Sequence, residues 1–307
     1  MTILIGYTGF VGSNLNAQYN FDKVFNSKNI EEAFGLNPDV CVYAGVKAEK
    51  FLANNNPSAD MALVDEAKEN IKKINPKKLV LISTIDVYKK PYDCVESTDI
   101  EEDGLHPYGY NRYQLEKWCL ENIRDYHILR LPGLFGENIK KNFIYDLIHI
   151  LPSALNDTKF KQFSTKEESI KKYYKKQGNG FYKLEEVNND ERKELLEAFD
   201  RLDFSALNFT DSRGVFQFYN LCYLWEHIQL MQKQKIPLMN LAVEPISIGE
   251  IYYEARGETF FNEVMDNPPY YNFKTEYSAL FGTNTGYIFD KEKVLSEILT
   301  FIRLHQC

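Results

Sequence analysis

The sequence predicts an α/β protein: a doubly wound parallel sheet of the Rossmann type, followed by a smaller, mostly helical C-terminal region. Three observations lead there. Short apolar, β-branched runs alternate with helical stretches from Thr2 to Leu131. A glycine-rich turn directly follows the first of those runs. The 307 residues, 44% of them apolar, suffice for one large domain or two closely joined ones.

Thr2 to Tyr7 is short, apolar and β-branched, as a strand buried on both faces requires. It ends in Gly6-Tyr7-Thr8-Gly9-Phe10-Val11-Gly12, and a helix can start at about Phe10. A second short strand is expected around Lys23 to Phe25 and a third over Asp39 to Gly45. From Pro57 to Ile74, Met61, Val64, Ala67 and Ile71 recur at near-helical spacing. Lys78 to Ser83 reads as another buried strand, Tyr108 to Asn122 as a helix, and Tyr126 to Leu131 as the strand after it. Right-handed crossovers between such strands build a doubly wound sheet.

Composition excludes several classes. With 44 acidic against 36 basic residues and a net charge of -8, the chain is no general binder of nucleic-acid backbone. Its five cysteines are scattered, with no Cys-x-x-Cys pair or Cys/His cluster, so neither a metal site nor a disulfide framework is expected. No apolar run is long enough for a bilayer, and Met1 leads into a strand without a basic leader or cleavage site; a cytoplasmic, membrane-free protein is the expectation. The 21 Tyr and 21 Phe read first as core filler and second as stacking surfaces.

The spacing Gly-x-x-Gly-x-x-Gly suits a dinucleotide. Gly6 permits the sharp exit from the strand, Gly9 lets the backbone approach a pyrophosphate, and Gly12 lets the helix pack close to the sheet. Thr8, Phe10 and Val11 share that turn, and unpaired N–H groups at the helix start face the anion. After the second strand, Ser27 and Lys28 could hold a 2′-phosphate, and no carboxylate appears before Glu31. That favours NADP over NAD; Lys28 as a solvated loop residue is the alternative.

The opening Met1 to Leu15 resembles that of the NAD-dependent epimerase/dehydratase family, the extended short-chain dehydrogenases/reductases that act on nucleotide-linked sugars. Two further stretches carry the resemblance. Ser83-Thr84-Ile85-Asp86-Val87-Tyr88 is similar to the family's Ser-Ser/Thr-x-x-Val-Tyr, which maps the hydroxyl that positions the substrate onto Thr84. Pro107-Tyr108-Gly109-Tyr110-Asn111-Arg112, with Glu116 beyond it, is similar to Pro-Tyr-Gly-x-x-Lys-x-x-x-Glu. Tyr108 takes the place of the acid/base, and Arg112 stands where the family has lysine, as ribose contact and charge. A tyrosine with an ordinary pKa near 10 serves as a base when a nearby cation and the oxidised nicotinamide favour the phenolate. Arginine is bulkier and planar, so it need not act equally. A literal Tyr-x-x-x-Lys at Tyr113 and Lys117 lacks the flanking Pro and Gly; it is a second register, and tyrosines merely decorating a helix are a third reading.

The resemblance implies more along the chain. Ala44, Gly45 and Val46 are the small residues beneath the cofactor, although Lys47 is an unusual neighbour, and Val64-Asp65 replace the family's helix asparagine. In Arg130 to Gly136, the backbone at Pro132 flanks the nicotinamide. Asn142 contacts the sugar nucleotide or caps a helix; Arg213, in Ser212-Arg213-Gly214, grips the substrate diphosphate or forms a surface salt bridge. The implied partition is 1–135 plus about 214–243 for the dinucleotide, and about 136–213 plus 244–307 for the substrate, with a charged, solvated helical insertion at about 156–207. The implied activity is a 4-keto reductase or epimerase on a nucleotide sugar, working as a homodimer. Ile85-Asp86 breaks the Asp-Glu pair of a dehydratase, and the Arg112 departure leaves a cofactor-binding sensor or scaffold as the alternative.

Overall fold

The structure, a computed structural model, describes residues 1–178 and 180–306. The chain begins β1 (Thr2–Ile5), α1 (Phe10–Gln18), β2 (Lys23–Phe25), β3 (Val40–Tyr43), α2 (Lys50–Asn55), α3 (Pro57–Ile74), β4 (Leu79–Thr84), α4 (Pro107–Asn122), β5 (Tyr126–Leu131) and β6 (Gly133–Phe135). Next come α5 (Phe143–His149), β7 (Ala154–Leu155), α6 (Asp157–Ser164), α7 (Glu168–Tyr173), β8 (Tyr174–Lys176), β9 (Tyr182–Leu184) and α8 (Asn189–Arg201). The remainder is β10 (Val215–Phe216), β11 (Phe218–Asn220), α9 (Leu224–Gln234), β12 (Leu238–Asn240), β13 (Ile246–Ser247), α10 (Ile248–Arg256) and α11 (Lys291–His305).

Six parallel strands form the main sheet in the order β2-β1-β3-β4-β5-β12. The order reverses at β1/β3, so a crevice opens beyond the C-terminal ends of those strands, where open α/β sheets bind ligands. The half on the β2 side has two strands rather than the three of the 3-2-1-4-5-6 arrangement; a 3₁₀ turn at Ile30–Ala33 fills the interval before β3.

Local chemistry sets the helices. Asn56 caps α3 by accepting the Ala59 N–H at 3.3 Å, Pro57 opens it, and Asn75 ends it in the left-handed region at φ 52°. The face of α3 bearing Val64, Ala67, Ile71 and Ile74 packs with Leu115 and Cys119 of α4 on the strands. Each large aliphatic side chain buried there contributes about 1.5–3 kcal/mol.

The chain divides into two compact units. The first comprises Met1–Ile139, Val215–Ile246 and Pro269–Glu297; the second comprises Lys140–Gly214, Ser247–Pro268 and the chain from Ile298. The partition expected above therefore needs correction at residues 269–297, which lie in the first unit. The reason is backbone pairing. Asn272 N–H bonds to the Pro91 carbonyl at 2.8 Å, Lys274 N–H to the Cys94 carbonyl at 2.8 Å, and Ile288 N–H to the Ala242 carbonyl at 2.7 Å. The 156–207 segment also departs from a solvated helical insertion. It carries the antiparallel sheet β7-β9-β8 and a core of its own that includes Phe163, Ile170, Leu195 and Phe199. Its lysine-rich run changes from α7 to β8 between Tyr173 and Tyr174, which places both tyrosines in that core.

Candidate functional site

The site in the first unit begins at the glycine turn. Gly6 has φ +89°, and a Cβ there would lie 2.5 Å from the Ala44 carbonyl oxygen. A Cβ on Gly12 would overlap the Gly6 carbonyl, so only glycine lets α1 lie this close. Gly9 stands at the N-cap of α1 with no side-chain cap, leaving the N–H groups of the first turn without a side-chain acceptor. Thr8 and Gly9 are exposed; Phe10 and Val11 are half-buried. Ala44 N–H bonds to the Ile5 carbonyl at 2.9 Å, Gly45 is exposed, and Val46 packs on the core beneath. These contacts hold the turn and α1 tight against the sheet, and the uncapped helix start at Gly9 fits a pyrophosphate. Ser27 and Lys28 are exposed in a turn closed by Asn26, whose Oδ1 accepts the Lys28 N–H at 2.9 Å. Pro132 lies between β5 and β6.

Thr84 is the last residue of β4, and its Oγ1 accepts the Asp86 N–H at 3.2 Å. Tyr108 is the second residue of α4; Asn54 Oδ1 takes its backbone N–H at 3.0 Å. Gly109 presses against the Asp86 carbonyl so closely that a Cβ would overlap it, which fixes the start of α4 on the turn that follows Thr84. The Tyr108 side chain is 7% exposed. Burial pushes its phenol above the ordinary range, opposed chiefly by the Arg112 charge.

Arg112 is turned inward. Its Nη1 and Nη2 each donate to an oxygen of the Asp60 carboxylate at 3.0 Å, and Nη2 also reaches the Lys47 carbonyl at 2.6 Å. The guanidinium carbon lies 4.7 Å from the centre of the Tyr108 ring. In the other register, Lys117 donates to both oxygens of Glu102 at 2.7 and 2.8 Å. Beneath the site, Arg130 grips Glu116 at 2.6 Å and donates to Tyr88 Oη at 2.7 Å, while Ser83 Oγ donates to the same carboxylate.

Sequence reasoning missed a cluster beside Tyr108. Lys50 Nζ lies 2.7 Å from Asp86 Oδ1 and 3.2 Å from Tyr271 Oη, and Tyr271 itself donates to Asp86 at 3.1 Å. Burial works against the charge on Lys50, yet Asp86 and Tyr271 together hold its pKa above the ordinary lysine value. The His106 ring runs parallel to that of Tyr108, its Nδ1 accepts the Gly109 N–H at 3.1 Å, and its Nε2 lies 3.9 Å from Asp86. With Nδ1 accepting, the ring proton belongs on Nε2, and burial with the Lys50 charge keeps this imidazole below its usual pKa. These four residues come from four separate segments, and no local spacing signals them. Only Asp86 stood inside a recognisable motif.

The second unit holds the other two candidates. Asn142 caps α5, accepting the Tyr145 N–H at 3.2 Å. Arg213 is engaged on every nitrogen: Nε and Nη2 with Asp211 at 3.0 and 2.8 Å, Nη1 with Glu263 at 2.9 Å, and Nη2 also with the Met265 carbonyl at 2.5 Å. That pairing holds the Asp211 carboxyl far below the usual range. Elsewhere, a cavity of about 320 Å³ lined by Met61, Leu105, Pro107 and Tyr110, among others, includes neither the glycine turn nor Thr84 nor Tyr108. Among the described residues, no helix is long and apolar enough to cross a membrane, and no group of three or more His, Cys, Asp or Glu could hold a metal ion.

No protein-family model matches the chain, and no curated protein matches it. Solved structures do. A dTDP-4-dehydrorhamnose reductase from Clostridium acetobutylicum is 12% identical with a TM-score of 0.61, covering 100% of both chains. A UDP-N-acetylglucosamine 4-epimerase from Methanobrevibacter ruminantium, solved with UDP-N-acetylmuramic acid, is 15% identical with a TM-score of 0.62, over 98% of this chain and 96% of that one. The Bordetella bronchiseptica enzyme WbmG, solved with NAD and UDP, is 14% identical with a TM-score of 0.63, over 99% and 94%. At these identities the likeness establishes the fold alone: a Rossmann-type parallel sheet with flanking helices, shared over nearly the whole chain.

Proposed function

We propose that the protein is an NAD(P)-dependent oxidoreductase acting on a nucleotide-linked sugar, as a 4-keto reductase or epimerase. The observation that carries this reading is the pairing of the Gly6/Gly12 turn with an α4 start fixed on the turn after Thr84. The dinucleotide would rest on Gly6, Gly9, Gly12 and Ala44, with its nicotinamide end near Pro132. Bound there, it supplies the hydride donor or acceptor. Tyr108 exchanges a proton with the reacting sugar hydroxyl, and Thr84 Oγ1 orients that oxygen. The Arg112 charge over the ring offsets part of the burial that disfavours the phenolate. Ser27 and Lys28 support NADP over NAD, since both are exposed where a 2′-phosphate would lie. Asn142 and Arg213 are proposed on the substrate side, Arg213 only by exchanging Asp211 or Glu263 for a diphosphate.

The engagement of Arg112 with Asp60 favours one second reading, a cofactor-binding protein with weak catalysis. One experiment separates the two. Labelled NADPH and NADH are incubated with a panel of nucleotide 4-keto sugars, and label transfer is measured for the wild type and Tyr108→Phe. Transfer that falls about 10²–10⁴-fold in the variant, with its melting temperature retained, supports the enzyme. Cofactor binding without transfer supports the weak-catalysis reading, and absence of cofactor binding sinks both.

A further inference from the structure

We propose that Asp60 is a positioning residue that draws Arg112 inward, making it an internal cation on the ring face of Tyr108 instead of a ligand for the cofactor ribose. The inference rests on the reading of Tyr108 as the acid/base. A residue at i+4 from the tyrosine shares its helix face, so a lysine there could extend toward the crevice. Arginine is longer and planar, and carries a two-pronged donor matched to a carboxylate. In this chain α3 offers that carboxylate. Asp60 is 7% exposed and receives Nη1 and Nη2 on separate oxygens at 3.0 Å each. The Lys47 carbonyl takes a further Nη2 hydrogen at 2.6 Å, and Asn111 Nδ2 donates to Asp60 at 2.9 Å, bracing the carboxylate. The Arg112 side chain is 5% exposed. Reaching a ribose would mean breaking a buried bidentate pair and leaving Asp60 uncompensated, a costly exchange for hydroxyl hydrogen bonds.

What the arrangement does instead is electrostatic. The guanidinium carbon stands 4.7 Å over the Tyr108 ring, so its charge acts on the phenol through the ring face while Asp60 partly cancels it. The remaining charged and titratable groups facing Tyr108 are Lys50 on α2, Asp86 on the turn after β4, and His106 at the cap of α4. Arg112 and Lys50 favour the phenolate; Asp60 and Asp86 disfavour it. Asp60 thereby sets how much of the arginine charge the phenol feels.

The test uses the full-length protein with ¹³C-tyrosine, the Tyr108 signal being assigned by its loss in Tyr108→Phe. Asp60→Asn should lower the Tyr108 titration midpoint by about one pH unit in the cofactor-free protein. Asp60→Asn/Arg112→Gln, a neutral pair of similar shape, should leave the Kd for NADP within about threefold of wild type. A midpoint that does not move in Asp60→Asn, or a Kd weakened more than about tenfold in the double variant, overturns the proposal. If the double variant does not fold, ¹⁵N spectra of the wild-type arginine side chains decide the point. Arg112 signals unchanged on saturation with NADP, while Gly9 and Gly12 amides shift, support it; Arg112 signals that shift with loss of the Asp60 contact overturn it. Failure of the underlying functional reading has a different signature: no glycine amide responds to NADP or NAD, whatever Tyr108 does.

Discussion

Two polar clusters lie at the end of β4, one beginning at Ser83 and the other at Asp86, and they use similar chemistry differently. In the first, Glu116, Arg130, Ser83 and Tyr88 are all buried, and each polar group faces another protein group. In the second, Lys50 and Asp86 retain 42% and 16% side-chain exposure, with Tyr271 and His106 beside them. A buried ion pair holds the strand and helix together because neither charge can be released without stranding the other. A half-open pair is screened by water and can be rearranged by a ligand at small cost. Asp146, half-buried, supplies the contrast to both: no salt bridge to it occurs among the described residues, and desolvation raises its carboxyl to about 7.

The largest effect expected from this comparison is at Glu116. Glu116→Gln should lose about 3–5 kcal/mol of stability in urea unfolding, because Arg130 is then buried without its counter-charge. Asp146→Asn comes next, with the opposite sign. Its carboxyl titrates near 7 in the folded chain against about 3.9 when unfolded, so the folded state is the one that holds the proton between those values. The associated stability is fully present below about pH 4 and is lost as pH rises through about 7. Asp146→Asn should therefore leave stability near pH 4 little changed and raise it by about 2 kcal/mol at pH 8, read from melting curves at both pH values. A pH-independent gain would mean that burial is not the cause.

Lys28 tests an exposed cation. Lys28→Ala should weaken NADP binding about tenfold, close to 1.4 kcal/mol, with NAD binding and thermal stability unaltered. Equal weakening of both cofactors would place Lys28 elsewhere than at a 2′-phosphate. The smallest effect belongs to the half-open cluster: Lys50→Met should change stability by less than about 1 kcal/mol. A loss matching that of Glu116→Gln would erase the distinction between the two clusters.

Much of the parallel sheet was legible because its strands are buried on both faces and read as continuous apolar runs, as Ile3, Leu4 and Ile5 show. The glycine turn was legible for a local reason too: the backbone geometry at Gly6 and the close packing at Gly12 exclude any side chain. Residues 156–207 misled because a high density of Lys and Glu hides Phe163, Ile170, Leu195 and Phe199, which meet only across several short elements.

Residue type and spacing alone supplied the alternating α/β order and the close-packed glycine turn, since each depends on neighbours within a few positions. The partner of each charge was decided only by folding. Nothing near Arg112 in the chain points to Asp60, nor do the flanks of Arg213 point to Glu263. Lys50, Asp86 and Tyr271 likewise meet only because three distant segments converge. Electrostatic interactions fall off with distance in space, not along the chain, so a side chain's charge state and direction belong to the packed molecule.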